Sequence, residues 1–213
     1  LHFHALCESS SYDLEKVLSA FESGFGHLIP SLKWVNMGGG HLMTRQGYDT
    51  EHLIKTISEF RSRHPHLKVI LEPGSAFTWR TGDLAASVVD IVENDGISTA
   101  ILDVSFACHM PDTLEMPYRP DVLESVDKEQ SNGRLYRLGG NSCLSGDFMG
   151  DYYFPEDLKI GDRITLRDMN HYTTVKTNMF NGVQHPDMVL SRIGGEVEIL
   201  RHFDYSDYKN RMS

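Results

Sequence analysis

The feature that most constrains the fold is an alternation of three short apolar segments with two helical patterns over residues 1–73. The segments "LHFHAL", "KWVNMGGG" and "LKVILEPG" each have the length and composition of a buried strand. Between them, one helix is predicted to follow Asp13 and stop at Gly24, and a second to be capped by Thr50. The predicted apolar stripes are Leu14, Val17, Leu18, Phe21 and Leu53, Ile54, Ile57, Phe60. Repeated βα units predict a parallel sheet, in which ligands bind at the carboxyl ends of the strands.

After Gly74 the sequence changes to β-rich segments with turn signals between them. The segments are "AASVVDIVEND", "STAILDVSF", "GRLYRLGG" and "DRITLRDM", and the turns are "NDG", "SNG" and "IGD". This pattern predicts a second, mostly antiparallel β domain. We place the domains at residues 1–80 and 81–213, and it stays open whether a late segment returns to the first domain.

Composition narrows the class of protein and of partner. A chain of 213 residues with 40% hydrophobic residues can bury one large core or two modest ones. The net charge of −10 argues against nucleic acid as a partner and permits a cationic ligand. The widely spaced Cys7, Cys108 and Cys143 suggest neither disulfides nor a zinc knuckle, so we expect a reducing, cytoplasmic location. No apolar run reaches the roughly 20 residues of a membrane helix, so we expect no membrane partner.

Polar residues with possible chemistry follow the first predicted strand. His2 and His4 alternate on that strand, so both side chains should point to one face. Such a pair can hold a metal ion, or can be two structural histidines that are hydrogen-bonded within the fold. The residues alone leave both interpretations open.

Two further strand ends carry candidate residues. Gly38, Gly39 and Gly40 can bring backbone N–H groups close to an anion such as phosphate, although the residues alone favour a simple tight turn. Glu72 ends an apolar strand, where a carboxylate needs a proton or a cation, for example a protonated ring nitrogen, or a capping or salt-bridge role.

The second half of the chain contains one thiol in a loop-like setting. Cys143 lies within "LGGNSCLSGD" and is either an accessible reagent or a small buried apolar residue. Asp147 in the same stretch, Tyr172 in "NHYTT" and the later "MFNG" are each ordinary when taken singly.

Five motifs, taken in order, resemble those of the pyridoxal-phosphate-dependent decarboxylases of the alanine-racemase fold, which act on ornithine, arginine, diaminopimelate and carboxynorspermidine. The motifs are "HFHALCE", "WVNMGGGHLMT", "LEPGSAF", "CHMPDTLEMPYRP" and "NSCLSGDFMGDY". They are most similar to the carboxynorspermidine decarboxylase group, and the resemblance covers essentially the whole chain. It implies decarboxylation of carboxynorspermidine or carboxyspermidine to norspermidine or spermidine in polyamine biosynthesis, by a homodimer with shared active sites.

The resemblance also implies roles for residues of the first domain. His4 would stack on the pyridoxal ring, and Glu72 would pair with the ring nitrogen and keep it protonated. The phosphate would be cradled by the backbone of Gly38, Gly39, Gly40, Gly74 and Ser75.

In the second domain, the Tyr172 hydroxyl would donate a hydrogen bond to the phosphate. Cys143 would enter the partner subunit's site and help to protonate the substrate's α-carbon. Relatives carry an acidic residue directly after this cysteine, where this chain has Leu144. The candidates for binding the substrate's distal amines are therefore His109, Asp112 and Asp147, with Glu72 also facing the substrate.

The resemblance implies that residues 1–80 are the C-terminal half of a (β/α)8 barrel. A whole barrel needs about 250 residues, and the family's Schiff-base lysine lies on the first barrel strand, which this chain lacks. We therefore expect a fragment that is inactive alone.

Three alternatives stay open. One is a related diaminopimelate, ornithine or arginine decarboxylase, and another is a non-catalytic relative without the lysine. The third is a metal-dependent barrel hydrolase that uses His2 and His4, with further ligands from His41, His109 or His171.

Overall fold

The computed structural model describes all 213 residues, which form two compact units, Leu1–Trp79 and Arg80–Ser213. The boundary lies one residue before the predicted one. No helix in either unit has both the length and the apolar character needed to cross a membrane. A return of a late segment to the first unit stays a prediction.

The first unit contains the predicted parallel pair of strands. Its elements in chain order are α1 (Ser11–Phe25), a 3-10 helix (Gly26–Ser31), β1 (Trp34–Asn36), α2 (Thr50–Arg63), β2 (Lys68–Ile70) and α3 (Ser75–Thr78). Strands β1 and β2 are parallel, with Val35 opposite Val69. The prediction of a full strand over "LHFHAL" is wrong, because this segment makes only a single parallel bridge from His2 to Asn36. It still runs beside β1, since the Phe3 N–H donates to the Asn36 carbonyl at 3.0 Å.

Both helices of the first unit begin at caps other than the predicted ones. Ser10 caps α1 and forms a capping box with Asp13, so Asp13 lies in the first turn and does not precede the helix. The helix passes Gly24 and ends at Phe25. In α2 the cap is Asp49, whose carboxylate accepts from the His52 N–H, and Thr50 is the first helical residue.

The two helices bury apolar stripes close to the predicted ones. Leu14, Leu18 and Phe21 of α1 are buried, as are Leu53 and Phe60 of α2. The expectation for Ile54 is wrong, since its side chain is 60% exposed while Thr56 is buried. Thr56 and Phe60 follow Leu53 at helical i+3 and i+7 spacing, whereas position 54 is rotated by about 100° from Leu53.

The second unit is a five-stranded sheet with a separate hairpin. The strands are β3 (Leu84–Asn94), β4 (Ile97–Leu102), β5 (Leu135–Gly139), β6 (Phe148–Tyr153), β7 (Arg163–Leu166), β8 (Met188–Ser191) and β9 (Val197–Arg201). The sheet order is β6-β5-β4-β3-β7, and β8 pairs with β9. Only the β4–β5 pair of the sheet is parallel, so the predicted mostly antiparallel sheet is present.

Short helices lie between these strands, and one follows the last strand. They are α4 (Phe106–His109), α5 (Pro111–Glu115), α6 (Tyr172–Val175) and α7 (Tyr205–Met212), with 3-10 helices at Lys128–Gln130 and Phe180–Gly182. The "NDG" turn between β3 and β4 has positive φ at Asp95 and Gly96, as a tight hairpin requires. Strand β6 was not predicted, because its Gly150 and Asp151 are residues that strands usually avoid.

The core of the second unit is formed by the buried face of the sheet and the residues that follow β4. Its largest fully buried side chains are Tyr152, Phe106, Phe154, Leu102, Met110, Leu138, Ile164 and Leu166. The Tyr152 hydroxyl donates to the Pro120 carbonyl at 2.8 Å, so this ring is buried without an unpaired polar atom.

Candidate active site

The ends of the three aligned segments of the first unit bring His2, His4 and Glu72 together. The distances to Glu72 Oε2 are 3.5 Å from His2 Nε2 and 3.9 Å from His4 Nδ1. All three side chains are about half exposed, so the group faces solvent on one side. The alternation of His2 and His4 along an extended segment explains why both rings reach one carboxylate.

Asn36, which the sequence analysis did not single out, connects this group to the backbone. Its Nδ2 donates to Glu72 Oε1 at 2.6 Å, and its Oδ1 accepts from the Gly38 N–H at 2.9 Å. The available signal was its place as the last residue of β1, directly before Met37 and the glycines. A polar side chain at a strand's carboxyl end is suited to act beside the other two strand ends.

The three glycines allow the segments to approach each other closely. A Cβ at Gly38 would lie 2.6 Å from the Phe3 carbonyl oxygen, and Gly38 and Gly40 have φ of +70° and +87°. A Cβ at Gly39 would overlap the Glu72 carbonyl oxygen, and one at Gly40 would overlap that of Leu6. Packing within the chain therefore requires these glycines, whatever ligand their backbone binds.

His41 follows the glycines and is buried beside Tyr48. It is 1% exposed, and its Nδ1 lies 3.0 Å from the Tyr48 hydroxyl. Burial lowers its pKa, with a smaller contribution from His4. The Glu72 carboxylate, His2 and His4 bring their ligating atoms within 4.8 Å of one another, and His41 of the same unit is not a member of that group.

Gly74 and Ser75 follow Glu72 directly, as the resemblance requires. Gly74 is exposed, and Ser75 begins the single-turn helix α3. The Phe77 N–H donates to the Gly74 carbonyl at 3.1 Å and closes this turn. The chain therefore leaves the Glu72 strand end in a tight turn.

In the second unit, Cys143 lies exposed in the loop between β5 and β6. Asn181 Nδ2 donates to Cys143 Sγ at 2.8 Å, from a residue in the left-handed conformation with φ of +58°. Asn181 lies in "MFNG" and had no predicted role. Its position before a glycine was the available sign of a special backbone conformation.

Asp147 lies in the same loop, but its carboxylate is turned inward. The residue is 5% exposed, Oδ1 accepts from the Ala107 N–H at 3.0 Å, and Oδ2 accepts from the Ser142 N–H at 3.0 Å and the Ser142 hydroxyl at 2.5 Å. Gly140 also packs directly on this carboxylate. Asp147 thus organises the loop that carries Cys143.

His109 and Asp112 are both buried beside β4. His109 is 3% exposed, and its Nδ1 accepts from the Ser105 N–H at 3.2 Å. Burial lowers its pKa to about 4, with a further contribution from His185. Its Nε2 is buried without a hydrogen-bond partner. A neutral His109 is therefore suited to donating a hydrogen bond from Nε2 and not to attracting a cation.

Asp112 already holds an ammonium group. Lys176 Nζ lies 2.6 Å from Asp112 Oδ1 and 2.9 Å from Glu115 Oε2. Hydrogen bonds to Asp112 and then Glu115 raise the pKa of Lys176 above its ordinary value. Tyr172, the first residue of α6, is half exposed with the Lys176 ammonium 5.9 Å from the centre of its ring.

Comparison with known families gives this arrangement its context. Residues 12–170 match the family described as "Pyridoxal-dependent decarboxylase, C-terminal sheet domain". The chain belongs to this pyridoxal-dependent decarboxylase family. The predicted family and cofactor class are thereby confirmed.

Two relatives match almost the whole chain. It is 53% identical over 98% of its length to a carboxyaminopropylagmatine decarboxylase from Synechocystis sp., and covers 54% of that protein. It is 47% identical over 99% of its length to a carboxynorspermidine/carboxyspermidine decarboxylase from Campylobacter jejuni, and covers 57% of that protein. The chain thus spans about half the length of the curated relatives it matches.

Solved structures agree with this placement. The crystal structure of the carboxynorspermidine decarboxylase of Campylobacter jejuni with norspermidine superposes with a TM-score of 0.89 and 47% identity, over 99% of this chain and 60% of that one. The arginine decarboxylase of Paramecium bursaria Chlorella virus, bound to agmatine, has a TM-score of 0.68 at 20% identity over 85% of this chain and 51% of that one, which shows a shared fold.

The residues of the first unit fit the ring end of pyridoxal phosphate. Glu72 has one oxygen bonded to Asn36, while the other faces the half-exposed His2 and His4. A carboxylate in this setting can hold a protonated ring nitrogen, and an imidazole face beside it can stack on a flat ring.

Proposed function

We propose that the whole protein decarboxylates a carboxylated polyamine, carboxynorspermidine or carboxyspermidine, and releases norspermidine or spermidine and CO₂. The observation that carries this proposal is the convergence of His4, Glu72 and three glycines at neighbouring parallel strand ends. The similarity to carboxynorspermidine/carboxyspermidine decarboxylase over 99% of the chain supports the choice of substrate.

In this proposal the first unit holds the cofactor ring. When bound, pyridoxal phosphate accepts the electron pair that is left when the substrate loses its carboxylate as CO₂. Glu72 Oε2 keeps a proton on the ring nitrogen, because a carboxylate beside a pyridinium stabilises the charged form. His4 packs its imidazole on the ring, and the backbone of Gly38, Gly39, Gly40, Gly74 and Ser75 binds the phosphate together with the hydroxyl of Tyr172.

The second unit supplies the proton donor. Cys143 Sγ lies exposed with Asn181 fixing its position, and it delivers a proton to the substrate's α-carbon after CO₂ leaves. We further propose a homodimer in which Cys143 serves the site of the partner subunit, so that each site needs residues from both subunits.

The contacts described above also distinguish among the three amine-binding candidates. Asp147 is an unsuitable ligand, because three donors within the chain already occupy its buried carboxylate. His109 is neutral near pH 7, since burial holds its pKa at about 4. Asp112 is the candidate that we retain, and a substrate amine would have to displace the Lys176 ammonium that Asp112 and Glu115 bind.

A second candidate substrate is favoured by one observation, the 53% identity to carboxyaminopropylagmatine decarboxylase. Such a substrate ends in a planar guanidinium group where the first candidate has an amine. A guanidinium donates in a fixed fork to a carboxylate, whereas an ammonium group acts as a compact point charge. The residues at the distal end of the site therefore decide between the two.

An activity panel on the full-length protein tests both candidates. Purified protein loaded with pyridoxal phosphate is given carboxynorspermidine, carboxyspermidine, carboxyaminopropylagmatine, diaminopimelate, ornithine and arginine, and CO₂ release is measured as kcat/KM. We expect one of the first three to exceed the last three by at least about 100-fold, or ~2.7 kcal/mol. A preference for diaminopimelate, ornithine or arginine would overturn the proposed substrate class, and no release from any would overturn the activity.

A further inference from the structure

We propose that Asn36 is a positioning residue that fixes which oxygen of Glu72 meets the cofactor's ring nitrogen. The inference rests on the proposed function, and it concerns how this chain holds the carboxylate that the function requires. Asn36 acts on the ring through Glu72, since its amide nitrogen donates to Glu72 Oε1 and its amide oxygen accepts from the Gly38 N–H at the ends of β1 and β2.

The two hydrogen bonds of Asn36 determine the orientation of its amide. The Gly38 N–H, 2.9 Å away, is a donor and must face the amide oxygen. The amide nitrogen is therefore the group that points to Glu72 Oε1 at 2.6 Å, and the reverse orientation would place two donors together. A carboxylate oxygen is the acceptor that this nitrogen requires.

Glu72 is bound to the same strand end through its backbone. Its N–H donates to the Gly38 carbonyl at 2.7 Å, so Gly38 contacts both Asn36 and Glu72. Gly39 lies against the Glu72 carbonyl so closely that no side chain fits between them. Backbone and side chain of Glu72 are thus held from one side, which leaves few rotamers for its carboxylate.

With Oε1 bonded to Asn36, Oε2 is the Glu72 oxygen that is paired with the two half-exposed histidines. His2 Nε2 and His4 Nδ1 lie 3.5 and 3.9 Å from this oxygen, and both rings are half exposed. The ring nitrogen should therefore meet Oε2. An amide is suited to this role because it donates without adding charge, so Glu72 keeps its full negative charge for the pyridinium.

Asn36→Asp is the informative substitution. An aspartate retains the acceptor for the Gly38 N–H and nearly the same shape, but it replaces the donor to Glu72 with a second carboxylate. Two carboxylates at this distance cannot both stay ionised without cost, so they share a proton and the charge of Glu72 facing the ring is weakened. The aspartate still accepts a hydrogen bond from the Gly38 N–H, so the local backbone is retained. The negative charge that Glu72 offers to the ring nitrogen is reduced.

The test measures the affinity of the full-length protein for pyridoxal phosphate and its turnover. The variants are N36D, E72Q and N36D/E72Q, with N178D as a matched control. Asn178 has the same pattern, since its Oδ1 accepts from the Phe180 N–H and its Nδ2 donates to the Ala107 carbonyl, both at 3.0 Å. Cofactor dissociation constants come from titrating the cofactor-free protein, followed by absorbance between pH 6 and 9.

We expect N36D to weaken cofactor binding about 10-fold, to move the pH dependence of the bound cofactor's absorbance and to lower kcat with little change in KM. In the E72Q background, N36D should change the dissociation constant less than about 2-fold, because Asn36 acts through Glu72. The N178D variant should bind the cofactor normally, and N36D should melt close to the wild type.

Two outcomes overturn the inference separately from the function. Equal effects of N36D with and without E72Q would show a structural role only, and normal cofactor binding by N36D would show no role. In both cases the wild type still binds pyridoxal phosphate and the proposed function stands. A wild type that binds no pyridoxal phosphate would overturn both.

Discussion

At the scale of single residues, burial controls the chemistry of the histidines in the second unit. His109 lies beside His185, with ring centres 6.1 Å apart, and burial lowers the pKa of both. For His109 the pKa falls to about 4, although Asp147 and the backbone of Gln184 oppose the shift. The buried imidazole stays neutral because protonation would leave an ion in a poorly solvated place, and the attraction to the nearby carboxylates does not offset that cost.

The low pKa of His109 predicts how the free energy of unfolding depends on pH. Since the folded pKa of His109 lies below the ordinary 6.5, the unfolded chain binds the extra proton between pH 6.5 and 4. Stability should be unaffected above pH 6.5 and should fall as the pH drops through this window, by up to about 3 kcal/mol. An NMR titration of the histidine resonances should give a titration midpoint for His109 near pH 4.

His109→Asn retains an acceptor for the Ser105 N–H and removes the titration, so its melting temperature should depend less on pH between 6.5 and 4. The exposed His27 is the control, and His27→Asn should follow the wild type. An unchanged pH profile in His109→Asn would show that other groups cause the acid sensitivity.

At the scale of elements, the close approach of the strand ends depends on residues without side chains. Gly39→Ala would place a Cβ on the Glu72 carbonyl, so the two segments must separate. We expect a loss of about 2 kcal/mol or more in unfolding free energy, together with weaker cofactor binding. Thermal unfolding and a cofactor titration measure the two effects.

Gly24 provides the control for that substitution. It lies inside α1, and a Cβ there would meet nothing within 4 Å. Gly24→Ala should stabilise the protein by about 0.5–1 kcal/mol, because alanine has the higher helix propensity. If both variants unfolded like the wild type, the close packing of Gly39 on Glu72 would make no contribution to the unfolding free energy.

The loop between β5 and β6 depends in the same way on one buried carboxylate. Asp147→Ala removes the acceptor for the Ala107 and Ser142 donors and should cost about 3 kcal/mol of unfolding free energy. The exposed Asp157, paired with Arg134, is the control, and Asp157→Ala should cost less than about 1 kcal/mol. A stable Asp147→Ala with a raised KM would instead make Asp147 a substrate ligand.

At the scale of the whole molecule, the proposed sharing of sites between subunits can be tested with residues of this chain. Glu72→Gln and Cys143→Ala should each lower kcat strongly, because the first weakens the cofactor's charged partner and the second removes the proton donor. If Glu72 and Cys143 of one site come from different subunits, a mixed dimer contains one intact site. Equal mixing with exchange of subunits should then restore about 25% of wild-type activity. Absence of recovery, with mixed dimers shown by mass, would exclude shared sites.

The sequence predicted the elements that have a clear local pattern and missed those that have none. Helices α1 and α2, strands β1 and β2 and the "NDG" turn follow from local patterns, so they were found to within a few residues. Strand β6 and the hairpin β8–β9 were missed. Gly150 and Asp151 obscure β6, while β8 and β9 are exposed along their whole length and show no buried alternation.

By itself the sequence determined the alternation of elements, the order of the motifs and the candidate residues of the first unit, because periodicity and strand ends are local properties. Only the tertiary structure decided which neighbours each side chain has. It turned Asp147 inward onto Ala107 and Ser142, paired Asp112 with Lys176, and made Asn36 the partner of Glu72. The partners in these contacts lie up to 64 positions apart, and sequence patterns do not record such distant contacts. These contacts decide whether a carboxylate is paired with a cation and which of its oxygens can still bind a ligand.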